Sequence, residues 1–174
     1  MPGPRQTVTM ARPPADAVVA LRSLGRRWRG IFAGLDDDAA AEDLAHRPAA
    51  DGHSALDHAT RATRTLSLLG RAVEQVLVDD DAVLHPAVGD PSQRRWDDQI
   101  AGSVPDALTE LTREADRLAD RVERVTATQW ARRARVAGRG SDVGALDVLW
   151  DAVDSALAEL AAAEATLREV RGTG

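Results

Sequence analysis

The stretch Gly52-His53-Ser54-Ala55-Leu56-Asp57-His58-Ala59 decides how this chain is read. Ser54 stands where a helix N-cap belongs and Asp57 follows three residues later, an arrangement close to a capping box. Downstream, Leu56, Ala59, Thr63, Leu66, Leu69, Val73 and Leu77 recur at helical spacing, so a helix is expected from 54 to 78. The same rhythm appears three more times. Val18, Leu21, Leu24, Trp28, Ile31, Phe32 and Leu35 define a first helix near 15–35. Leu108, Leu111, Ala115, Leu118, Val122 and Val125 define a third near 104–125, opened by Ser103 and Pro105. Leu146, Leu149, Val153, Ala156, Leu160, Ala163, Leu167 and Val170 define a fourth near 142–170. Apolar seams alternating three and four residues suit near-parallel helices packed knobs into holes. The expected fold is all-α, a four-helix bundle.

Connection lengths set the topology. Helices of about 22 residues are roughly 33 Å long. The segment 79–102 carries Pro86, Gly89, Pro91 and Gly102 and could extend about 80 Å, enough to run the length of the bundle. A long crossover loop between helices two and three makes those two parallel, and shorter connections make the other sequential pairs antiparallel. Asp36-Asp37-Asp38 opens a short helical turn through Leu44. Residues 1–14 read as a disordered leader, because Pro2, Pro4, Pro13 and Pro14 are excluded from a packed helix. One domain is expected over 15–170.

Composition narrows the class. The chain has 174 residues, 44% hydrophobic but only 3% aromatic, so its core is built from Ala, Leu and Val. No window approaches the roughly 18 apolar residues of a membrane span. The N-terminal stretch lacks the apolar run of a secretory signal, and cytoplasmic localisation is expected. With zero cysteines, disulfides, thiolate metal sites and a cysteine nucleophile are excluded together. All 22 basic residues are arginine, and Lys, Asn and Tyr are absent, the residues with AT-rich codons. The arginines alternate with acids, as in Arg113-Glu114-Ala115-Asp116-Arg117, and net charge is −6, so no concentrated basic footprint for nucleic acid arises. Gly138-Arg139-Gly140 is a turn without the residues of a phosphate loop.

The order and spacing of several pieces resemble the DinB-like bundle family, whose actinobacterial branch includes mycothiol-dependent maleylpyruvate isomerases. The pieces are Gly34 to Asp37, Arg47-Pro48-Ala49, the Gly52–His58 opening, the Trp130 turn and Ala145-Leu146-Asp147-Val148-Leu149. The resemblance implies a divalent metal such as Zn or Ni held by three histidines, one on the second long helix and two on the last. In this chain those positions fall on Arg61, Asp154 and Ala158. A guanidinium has no lone pair for a metal and alanine has no donor, so no metal cofactor is expected. A displaced set of His58, Asp154 and Glu159 is chemically possible, but Asp154 and Glu159 are five apart and point differently.

Other readings stay open side by side. Arg61 either pairs with Asp154 in place of the metal or points to water. Trp28, Trp96, Trp130 and Trp150 either line a pocket or fill the core. His46, His53 and His85 read as surface histidines, with His53 at a position that holds tryptophan in relatives. Ala158, Ala161, Ala162 and Ala165 offer a small-residue face for a homodimer, or are simply good helix formers. The functional expectation is a metal-free, non-catalytic module binding a small molecule or a protein. The alternative is a metal-dependent mycothiol S-transferase or isomerase.

Overall fold

In the computed structural model, residues 12–33, 38–95 and 102–172 are described. Four long helices carry the fold: α1 (Pro14–Phe32), α3 (Ala55–Val78), α5 (Val104–Val122) and α7 (Ala145–Gly172). A shorter α2 spans Asp38–His46. Leu35, Asp36 and Asp37, expected at the first helix end and the start of the acidic turn, lie outside the described residues. Pro14 corrects the expected boundary of the leader. It is the first residue of α1, where a proline costs nothing because that N–H has no intrahelical acceptor.

The helix openings follow their side chains. Asp57 N–H donates to Ser54 Oγ at 3.1 Å and Ser54 N–H to Asp57 Oδ2 at 2.7 Å, a reciprocal box that starts α3. Ser103 Oγ accepts from Asp106 N–H at 3.2 Å and starts α5. The expected start of the last helix shifts from 142 to Ala145. Asp147 Oδ2 accepts the Gly144 N–H at 3.1 Å, which fixes the turn immediately before it.

Each apolar seam faces one shared core that includes Leu21, Trp28, Leu66, Leu69, Leu111, Leu149 and Leu160, all nearly inaccessible. α3 packs on α7 and α5, and α1 completes the square from the other side. Gly25 lies at a close α1–α5 approach: a Cβ there would sit 2.5 Å from Thr112 Oγ1. Arg22 pairs with Asp116 and Asp120, whereas Gly25, further along α1, meets Thr112, earlier in α5, so these two helices are antiparallel. Ala50 N–H donates to Glu169 at 2.8 Å, setting the start of α3 against the end of α7. Arg12, just before α1, meets Asp154 in the first half of α7, so α1 and α7 run the same way. These pairings together leave α3 and α5 parallel, the arrangement that a long crossover requires.

A three-stranded sheet was not anticipated. β1 (Val83–Leu84) pairs parallel with β2 (Arg133–Val136), and β2 pairs antiparallel with β3 (Asp142–Gly144). In β2 the alternation of Arg133 and Arg135 outward with Ala134 and Val136 inward is the period of a half-buried strand. Gly138, at φ +75°, turns the chain toward β3. The crossover therefore carries structure of its own: β1, a helical turn α4 (Pro86–Gly89) and a 3₁₀ turn at Pro91–Gln93. A second short helix, α6 (Ala127–Trp130), precedes β2.

Candidate functional site

The capping box that opens α3 turns His58 inward on the first turn, leaving it 5% exposed. Its Nδ1 lies 2.7 Å from Glu159 Oε2 on α7. A carboxylate only accepts, so the imidazole N–H donates. His53 meets His58 edge to face, ring centroids 6.0 Å apart. Arg61, one turn on from His58, places Nη2 3.1 Å from both ring nitrogens of His53. His53 is therefore half-buried against Arg61 and His58 rather than the surface histidine expected. Asp51 accepts the His53 backbone N–H at 3.0 Å, and that bond holds its carboxyl below the usual carboxylate range.

Asp154 lies elsewhere on α7 and has a different partner. Its Oδ2 accepts from Arg12 Nη1 at 2.6 Å, while the Arg12 guanidinium carbon sits 3.4 Å from the centroid of the Trp150 ring. Trp150 Nε1 donates to the Arg12 backbone carbonyl at 3.2 Å. The Arg61–Asp154 pair is thus not formed, because each residue is engaged by a neighbour the sequence did not suggest. Ala158 is exposed, as are Ala161 and Ala165, with Ala162 half-buried.

Next to Trp150, Asp151 receives a second arginine. Arg94, from the end of the crossover, buries its side chain to 6% exposure. Its Nη2 pairs with Asp151, Nη1 donates to Ser155 Oγ at 3.1 Å, and Nε donates to the Ala87 carbonyl at 3.0 Å. Sequence reasoning missed Arg94 and Arg12 because neither lies on a helix, so no periodicity marks it as inward-facing.

Among the remaining candidates, His46 is exposed and bonds Glu42 at 3.2 Å, and exposed His85 caps α4 by accepting the Ala87 N–H at 3.1 Å. Trp28 is core, its buried Nε1 without a partner among the described residues; Trp130 and Trp150 pack on the core edge. Trp96 lies outside the described residues. A divalent ion needs several convergent lone pairs. Here His58 faces one carboxylate and Asp154 is held by Arg12. Among the described residues no group of three His, Cys, Asp or Glu is placed to hold a metal ion. These residues do not fit the three-histidine site that the family resemblance implies. No helix among them is long and apolar enough to cross a membrane.

No protein-family model and no curated protein matches the chain. Among solved structures it is similar to YfiT from Bacillus subtilis, described as a probable metal-dependent hydrolase with an unusual four-helix bundle topology. The two share 11% identity with a TM-score of 0.69, covering 97% of this chain and 91% of YfiT. At that identity the likeness concerns the fold: this chain is a four-helix bundle built like YfiT.

Proposed function

We propose that this protein is a metal-free, non-catalytic binding module whose recognition face lies on α7. One observation carries the reading. The ligand-capable side chains are consumed in pairs, His58 on α3 with Glu159 on α7 and Asp154 on α7 with Arg12 from just before α1, while Arg61 and Ala158 offer no lone pair. Function resides in the site and not in the scaffold, so the likeness to a bundle described as a metal-dependent hydrolase does not transfer chemistry. The competing reading is a metal-dependent enzyme, a hydrolase or a mycothiol-dependent S-transferase or isomerase. What favours it is that His58 and Glu159 face one another from the two helices on which the family resemblance places ligands. Elemental analysis of protein purified without a nickel column decides between them. Binding-module behaviour predicts less than about 0.1 equivalent of Zn, Ni or Fe per chain after equilibration with a small excess of each ion. One tightly held equivalent, lost in His58→Ala, would overturn the proposal.

A further inference from the structure

Arg12 is held through three separate points. Its guanidinium lies over the Trp150 ring at 3.4 Å, its Nη1 meets Asp154 at 2.6 Å, and its own backbone carbonyl accepts the Trp150 indole N–H at 3.2 Å. A stray surface ion pair needs only the second. The first selects a flat cation, since a guanidinium stacks on an indole face better than an ammonium does. The third reads the main chain of the same residue. Pro13 after it, at φ −69° and ψ 145°, keeps Arg12 out of the helical region, so carbonyl and guanidinium are presented together in an extended segment. Trp150 and Asp154 are one turn apart on α7 and share a face; Trp150 packs on the core edge and gives a firm floor. Yet Arg12 and Asp154 remain 51% and 54% exposed, so the occupant sits at an open surface from which it can leave.

We propose that Trp150 and Asp154 form a reading site for an arginine residue within an extended peptide, occupied in the free protein by Arg12 as an internal stand-in. This deepens the binding-module reading and rests on it only for the choice of face. Because the internal arginine competes from the same chain, an external ligand sees just the fraction of molecules whose arm is open. The probe is acetyl-Arg-Pro-Pro-amide, which repeats residues 12–14. Binding is followed by the Trp150 indole N–H resonance, identified by its loss in Trp150→Phe. The Arg12→Ala protein should bind the probe at least about threefold more tightly than the unaltered protein, as expected if the arm is closed at least about two-thirds of the time. Asp154→Asn in the Arg12→Ala background should abolish binding, and the probe with lysine in place of arginine should bind severalfold more weakly. Unchanged melting of each variant confirms that the bundle is intact. No shift of the Trp150 signal in Arg12→Ala at about 20 mM probe, well above the millimolar effective concentration of a short tether, would overturn the proposal. Equal affinity with and without Arg12 would do the same. Metal content, which tests the metal-free reading, affects neither outcome.

Discussion

Two arginines reach the same stretch of α7 from separate segments of the chain, and they differ in almost everything but charge. Arg94 comes from the crossover and buries its side chain, with Asp151, Ser155 and the Ala87 carbonyl satisfying the guanidinium. Arg12 comes from the start of the chain and lies half-exposed over Trp150. Once a guanidinium is desolvated, every donor must find an acceptor, so the Arg94 contact is locked to the fold around it. At the surface, water competes for the same donors and the contact opens cheaply. The same two turns of one helix thus hold one anchor and one exchangeable contact on neighbouring faces.

The comparison breaks most sharply at Arg94. Arg94→Ala strands Asp151 and frees the crossover from α7. The expected cost is about 3 kcal/mol, at the low end for a buried pair because Asp151 keeps 33% of its side chain exposed. Thermal unfolding should fall by roughly 6–12 °C; a change under about 2 °C would show that the buried geometry adds nothing. His58→Leu tests an intermediate case, a buried imidazole on a carboxylate that is 27% exposed, with about 1–2 kcal/mol expected by urea denaturation. Arg12→Ala should cost below about 1 kcal/mol, and 1 M NaCl should erase most of that difference while leaving the Arg94→Ala deficit in place. If both deficits respond to salt alike, the distinction between anchor and exchangeable contact is lost.

A smaller effect concerns the turn that presents Arg94. Hydrogen bonds from Ser92 Oγ–H, the Gln93 amide and Ser92 N–H hold the Asp90 carboxyl below the usual carboxylate range. A depressed folded value means that ionised Asp90 stabilises the turn above the ordinary carboxylate pKa of about 4. That contribution disappears as pH falls through the lower folded value. Asp90→Asn should therefore show a shallower loss of stability than the unaltered chain as acid is added from pH 5 downward; parallel acid profiles would count against this role.

The two arginines also mark where sequence reasoning stops. The capping box at Ser54 and Asp57, the cap at Ser103, the four apolar seams and the parallel course of α3 and α5 were legible, because each depends on residues three or four apart or on connection length. The hairpin of β2 and β3 left a signal too, in the alternation Arg133-Ala134-Arg135-Val136 before Gly138. Its parallel partner Val83–Leu84 left none, since two residues show no period and the pairing spans some fifty positions.

At the candidate site, sequence alone determined what is missing: no cysteine, and Arg61 and Ala158 at positions where the family resemblance implies ligands. It also determined that His58 and Glu159 lie on separate long helices. Which partners the polar groups take was decided only by the tertiary structure. His58 chose Glu159 over Asp154, Arg61 chose His53, and Asp154 was claimed by Arg12 from 142 residues away. Helical periodicity states which face a side chain shares with its near neighbours. A guanidinium on a long flexible stem pairs with whatever acceptor the packed helices bring within reach, and that choice exists only once the bundle has closed.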